Sequence, residues 1–245
     1  MNEGRILYED EDMIVCHKAA GIATQTARIG QADMVSEVTN YLMNQTYVGV
    51  VHRLDQPVEG VLVFAKSKRA ASELSRQIAD NRMEKDYYAV ICGQGSARRG
   101  TLTDYLLKDG KTNMSGVVPP EIKGAKKAVL EYEILAQHIV LEQVNPEGRI
   151  ALVRIRLHTG RHHQIRVQMS HAGMGLLGDY KYADKETAYV SGQMHVKEVA
   201  LCAYRLALRH PVSGKRMQFQ IRPEGKCFQM EEFLPYYESS DTPCM

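Results

Sequence analysis

Val50-Val51-His52-Arg53-Leu54-Asp55-Gln56-Pro57-Val58-Glu59-Gly60-Val61-Leu62-Val63-Phe64 puts a carboxylate, Asp55, in a turn between two apolar runs. Before it the chain is apolar from Val48 to Val51, and after Gly60 it resumes with Val61 to Phe64. With Pro57 and Gly60 as punctuation, this reads as two adjacent β-strands joined by a turn. Asp55 therefore stands at a strand end, beside surface that the fold must bury. A charge there is costly unless compensated, and Arg53, two residues away, shares its face only while the strand persists. The partner has to come from elsewhere in the chain.

A second segment supplies candidates: Leu157-His158-Thr159-Gly160-Arg161-His162-His163-Gln164-Ile165-Arg166-Val167-Gln168. The alternating run from Arg149 to Leu157 predicts a strand that ends at the Thr-Gly break. A helix over 161–173 follows, with Ile165 and Met169 one turn apart on its buried side. Arg161 and Arg166 are five apart and do not share a face. One can point at the turn while the other meets solvent or a polyanion.

Taken in order, several motifs resemble the RluA-type RNA pseudouridine synthases. They are His52-Arg53-Leu54-Asp55 with Gly60, Lys85-Asp86-Tyr87-Tyr88-Ala89-Val90, Thr159-Gly160-Arg161 with His163-Gln164-Ile165-Arg166, Leu177-Gly178-Asp179 and His210-Pro211. The opening Ile6-Leu7-Tyr8-Glu9-Asp10 and Lys18 with Gly21 are similar to the family's start, so the resemblance runs from about Ile6 to about Pro223. It implies that Asp55 is the catalytic carboxylate, that Tyr87 packs on the target base, and that Arg166 is the cation paired with Asp55. Arg53, His52, Arg161, His163 and Lys85, within or beside these motifs, are the expected RNA-binding positions. The implied fold is α+β: a mixed, mainly antiparallel sheet with flanking helices and two lobes around a central active-site cleft. Relatives often carry an extra S4-type RNA-binding domain, whereas here the pattern starts almost at Met1, so a stand-alone catalytic domain over 1–245 is expected.

The implied chemistry can be rebuilt from residue types. Conversion of uridine to pseudouridine breaks the bond from C1′ to N1, turns the uracil and rejoins it through C5. An ionised aspartate can attack C1′ or take a proton from C2′, and a nearby cation keeps it charged and oriented. A uracil in folded RNA must first be flipped out. Stacking on an aromatic ring such as Tyr87 is worth roughly 1–3 kcal/mol, comparable with the cost of unstacking.

Two other classes fit part of this pattern. A glycosidic-bond hydrolase usually employs a carboxylate pair, and the nearest second acid, Glu59, lies in the same turn. A non-catalytic RNA-binding or folding factor would tolerate loss of Asp55. The histidines His158, His162 and His163 lack the Cys or acid that a zinc site needs, and no metal or nucleotide cofactor is expected. Gly93-Gln94-Gly95-Ser96-Ala97-Arg98 begins like a dinucleotide loop but lacks its third glycine, so it reads as a turn.

With 44% hydrophobic and 24% charged residues in 245, the chain can bury a large core as one catalytic body. No apolar stretch reaches a membrane span and the acidic start is unlike a signal peptide, so a cytoplasmic protein is expected; the resemblance implies rRNA or tRNA as substrate, and a monomer is expected. Five cysteines without a Cys-x-x-Cys pair read as reduced thiols. The net charge is only +2, but bases gather from Lys66 to Arg99 and from Lys108 to Lys127, flanking the motifs, where they can neutralise phosphates.

The pattern predicts strands at 5–8, 12–17, 47–54, 61–66, 86–93, 127–136, 149–158, 199–209 and 215–222. Helices are predicted at 34–44, 67–82, 161–173 and 228–234, with Ser67 as an N-cap. The glycines and prolines of 108–127 predict a mobile loop. Departures from the family pattern, Val58-Glu59 after the Asp turn and Met174-Gly175 further on, are expected to touch RNA.

Overall fold

The computed structural model describes residues 5–26, 30–43, 47–93, 97–139 and 149–237. They fall into two compact units, one holding the chain up to Lys85 together with Cys202–Pro223, the other Asp86–Leu201 together with the segment after Pro223.

In the first unit, β1 (Ile6–Glu9), β2 (Met13–Lys18), α1 (Met34–Tyr41), β3 (Gly49–Val50), β4 (Glu59–Ala65) and α2 (Lys68–Ala79) precede the start of β5 (Glu84–Cys92). β2 lies antiparallel to β4 along its full length, from Met13 opposite Ala65 to Lys18 opposite Gly60. β1 adds to β2, and the two residues of β3 pair with Phe64 and Ala65. β4 is buried at every position, as its unbroken Glu59 to Ala65 run requires of a central strand. Ser67 caps α2 by accepting the Ala70 N–H at 3.1 Å, and Ala70 and Leu74 pack with Met13, Val15, Val61 and Val63. Gln77 is buried among them, yet satisfied: its amide donates to Arg209 O at 2.8 Å and accepts the Arg209 N–H at 2.9 Å.

In the second unit come β6 (Arg99–Asp109), β7 (Met114–Val117), β8 (Lys126–Ile139), β9 (Arg149–Leu157), α3 (Gln164–His171) and α4 (Lys185–Gln193). Their strand order is β5, β9, β8, β6, β7. β10 (Leu201–Arg209) and β11 (Arg216–Gln220) return to the first unit, where β10 runs antiparallel to β11 and parallel to β4. That parallel pair stands beside the antiparallel pairings of β1 with β2, β2 with β4, β6 with β7 and β8, and β8 with β9, the α+β arrangement expected. The four described cysteines are buried and free of disulfides. No helix among the described residues is long and apolar enough to cross a membrane.

Several expectations need correction. The strand predicted over 47–54 stops after Val50, because Leu54 gives its backbone groups to a side chain: its N–H donates to Thr24 Oγ1 at 3.1 Å and its C=O accepts from the same hydroxyl at 2.9 Å. The first half of the loop predicted over 108–127 is instead a hairpin of β6 and β7, while 118–125 is irregular. Asp109 closes its turn by accepting from Lys111 N–H and Thr112 Oγ, and Asn113 takes the left-handed conformation. The helix predicted over 228–234 gives way to two short 3-10 turns, Lys226–Phe228 and Leu234–Tyr236. α4 was missed, although Asp184 is a regular N-cap that accepts the Thr187 N–H at 2.7 Å. The turn reading of 93–98 falls in part on 94–96, outside the described residues, as does Cys244.

Gly60 sits where β4 meets β10, with φ of +148° and a position at which a Cβ would lie 2.4 Å from Ala203 Cβ. Gly60→Ala is expected to destabilise the protein by at least about 2 kcal/mol, read as a lowered urea midpoint with an unchanged slope.

Candidate active site

Asp55 is half-buried in a turn whose own backbone closes with the Val58 N–H donating to Asp55 O at 3.0 Å. The turn is fastened from outside by the segment that follows β2. Lys18 is fully buried, and its ammonium donates to Ala19 O at 3.0 Å, Ile22 O at 2.7 Å and Gln56 O at 3.1 Å. Three carbonyls match its three protons, which is how a lysine can be sealed inside a protein while charged. Gln56 is gripped twice more, its C=O by the Gly21 N–H at 2.9 Å and its amide by Gly21 O at 3.0 Å. Together with the Thr24 hydroxyl on Leu54, these bonds fix the backbone on both sides of Asp55.

His52 anchors the turn to β4. Its Nε2 accepts the Val63 N–H at 3.2 Å, so the ring is neutral with its proton on Nδ1. Burial, and then the positive charge of Lys85, push its pKa down to about 3. Burial also lowers that of Lys85. Arg53 lies exposed, donating to Gln25 Oε1 at 3.1 Å.

In the second unit, α3 begins later than predicted because its entry is built from side chains. Gln164 Oε1 accepts the Arg161 N–H at 3.0 Å and the Thr159 hydroxyl at 2.8 Å, and His163 adopts the left-handed conformation at φ +54°. Ile165 and Met169 are buried as expected, but so are Arg166 and Gln168. Arg166 forms a bidentate pair with Asp179, Nε to Oδ2 and Nη2 to Oδ1, both at 2.7 Å, with 6% and 2% side-chain exposure. Its guanidinium also lies 5.1 Å from the centre of the Tyr182 ring. The Tyr182 hydroxyl accepts the Ser115 N–H at 2.9 Å and bonds His163 Nδ1 at 2.6 Å; His163 stacks on His162, which reaches Ser115 Oγ at 2.9 Å. One network thus joins β7, α3 and the segment after it. Tyr87 is buried on β5, next to Asp86, which accepts from Arg156 Nε at 2.8 Å.

Residues 12–171 match the family model described as RNA pseudouridylate synthase. The chain belongs to that family. Among curated relatives, a tRNA pseudouridine synthase C from Yersinia pestis is 30% identical, with 89% of this chain and 85% of that protein covered. A ribosomal large subunit pseudouridine synthase D from Zymomonas mobilis is also 30% identical, over 87% of this chain and 67% of its own length. The chain spans 65% of the tRNA pseudouridine synthase C of Pectobacterium carotovorum, to which it is 28% identical. The solved structure titled human RNA pseudouridylate synthase domain containing 1 shares the fold, with a TM-score of 0.71 at 20% identity, covering 89% of this chain and 82% of that one.

Set against the expectations for an RNA pseudouridylate synthase, His52, Arg53 and Asp55 share one turn, while Arg161, His163 and Arg166 gather at the start of α3. Arg161 is exposed, its Nε donating to Lys127 O, whereas Arg166 is buried, so the two arginines do face differently. Three residues central to the site had no role assigned from the sequence. Asp179 was visible in Leu177-Gly178-Asp179, and Lys18 in the opening motif, but Tyr182 carried no local signal. The expected RNA contacts of Val58-Glu59 and Met174 are corrected: these side chains are 2%, 5% and 1% exposed and form part of the interior. Lys66, counted among the phosphate-facing bases, turns its ammonium to Glu9 and Asp10 O instead. His158, His162 and His163 go to Glu131, Ser115 and Tyr182 in turn.

The depressed pKa of His52 means that the unfolded chain binds a proton that the folded one refuses between about pH 6.5 and 3. His52 therefore contributes full stability above about pH 6.5, and less as pH falls towards 3. His52→Gln, which keeps an acceptor for Val63, should flatten the decline of melting temperature between these limits; parallel curves for both proteins would contradict it. Asp179→Asn, which removes the charge facing buried Arg166, should cost about 3 kcal/mol in urea unfolding.

Proposed function

We propose that the chain is an RNA pseudouridine synthase that isomerises uridine in structured rRNA or tRNA, with Asp55 as its catalytic carboxylate. The observation that carries this is the Asp55 turn, clamped by Lys18, Thr24 and Gly21 inside a chain whose family match spans 12–171. Asp55 engages the ribose, either at C1′ as a nucleophile or at C2′ as a base. Arg166 is its cation. The bidentate bond to Asp179 fixes the plane in which that guanidinium is presented. Tyr87 packs on the everted uracil. Exposed Arg53 and Arg161, together with His52, His163 and Lys85, serve the RNA backbone, so affinity falls as salt rises.

The names of the relatives include both tRNA and large-subunit rRNA enzymes, and both RNA classes are the proposed substrates. The reading takes the protein to be a cytoplasmic monomer that uses neither metal nor nucleotide. A hydrolase needs a second carboxylate at the sugar, and Glu59 is buried at 5% exposure, which weighs against that alternative.

RNA from cells with and without the gene, mapped by carbodiimide-dependent primer-extension stops, tests the proposal. A stop lost at one uridine on deletion, restored by the wild-type chain but not by Asp55→Asn, is the expected result. Unchanged maps across tRNA and rRNA, or full restoration by Asp55→Asn, would overturn it.

A further inference from the structure

The segment from Gly178 to Tyr182 is tied down at every residue. Gly178 has φ +73° and donates its N–H to Ser191 Oγ at 3.0 Å; a Cβ there would lie 2.0 Å from Glu198 O. Asp179 holds Arg166, and Tyr182 lies against the same guanidinium. Lys181 donates to Asn113 O at 2.9 Å across to the β6–β7 turn. Tyr180 is fixed as well, its hydroxyl donating to Val196 O at 3.2 Å, yet its side chain is left 59% exposed. A large aromatic side chain in a tethered segment, bonded at its hydroxyl and more than half exposed, can take a flat partner. Its orientation is fixed before anything binds.

We infer that Tyr180 is a stacking platform for a nucleobase flanking the target uridine, with Lys181 beside it facing the backbone phosphate. This rests on the proposed synthase reading and adds a second base contact to the one assigned to Tyr87. An aromatic ring next to an ammonium is the pairing that single-stranded RNA selects, because every base has a face to stack and every nucleotide brings a phosphate. The position is also apt. Tyr180 follows directly on Asp179, the residue that grips Arg166, so the segment that carries the ring is the one that orients the guanidinium. The stack is sequence-tolerant and is formed before and during the reaction alike, so it contributes to RNA affinity and not to the chemical step.

The test uses Tyr180→Phe, Tyr180→Leu and Tyr180→Ala, assayed on the RNA whose stop depends on the gene. In parallel, each protein is titrated with a hairpin RNA carrying 2-aminopurine in a uridine-rich loop. Phe, which keeps the ring and loses only the hydroxyl bond to Val196, should quench like the wild type and raise KM less than Leu does. Leu and Ala should raise KM at least about fivefold, the lower end of base-aromatic stacking energies, with the loss falling on KM and the quenching abolished. Leu keeps the bulk of the ring, so it reads the effect should Ala fold poorly. Wild-type KM and quenching in Leu would overturn the inference, and so would a Phe variant as impaired as Leu, since the hydroxyl bond to Val196 would then be what matters. Should the wild type form no pseudouridine while quenching still depends on the ring, the synthase reading fails and the stacking site stands.

Discussion

A carboxylate on a loop is useful to chemistry only if the loop cannot wander, and here the constraint is a buried ammonium. Lys18 sits at the end of β2 with no exposed surface, and its three protons go to three backbone carbonyls, one of them the residue after Asp55. Without them the charge would be costly to bury, and each of the three carbonyls would lose a donor. With them, the strand end and the Asp55 turn become one rigid piece. The Thr24 hydroxyl, which replaces both strand partners of Leu54, and the Gly21 bonds to Gln56 complete the fastening. His52, neutral and pinned to Val63, ties the same turn to the central strand. The geometry around Asp55 is thus set by backbone groups, which tolerate change in most side chains of the turn.

A second ionic centre performs a comparable task in the other unit. Arg166 is buried in α3, and its bidentate bond to Asp179 fixes the plane of the guanidinium as well as its position. Such a pair gains little net stability over an apolar replacement of the same shape, since both charges leave water. What it secures is orientation. The Tyr182 ring beneath the guanidinium, and the hydroxyl of that ring on Ser115 and His163, extend the same control to the β6–β7 hairpin. The left-handed His163 backbone belongs to this design: a non-glycine residue holds that conformation at a cost, here offset by its ring's contacts.

Much of this was legible in the sequence where local rules suffice. The two apolar runs around Asp55, the Ser67 cap, and the buried pair Ile165 and Met169 all follow from periodicity and capping. The failures come where a side chain replaces a backbone partner. Thr24 takes up both backbone groups of Leu54 from thirty residues away, and nothing near Leu54 announces it. The hairpin within 108–127 was hidden because glycines and prolines were read as looseness, although Asp109 and Asn113 are specific turn residues. Among the candidate residues, motif order marks out Asp55, Tyr87 and Arg166, whereas Lys18 beside the Asp55 turn, and Asp179 and Tyr182 beside Arg166, become meaningful only through contacts distant in sequence. Val58, Glu59 and Met174 show the converse: adjacency to a motif suggested surface, and the fold placed them inside.

The proposed reaction has a balance that can be followed atom by atom. When uracil rejoins the sugar through C5, the hydrogen on C5 leaves as a proton and N1 acquires one; hydrolysis would leave C5 untouched and release the base. RNA prepared from cells lacking the gene, tritiated at uracil C5, therefore gives the most direct measurement. Incubation with the wild-type protein should transfer tritium to water with no free uracil, and Asp55→Asn should transfer none. Release of labelled uracil, or transfer undiminished by loss of the Asp55 charge, would contradict a clamped carboxylate acting on the ribose.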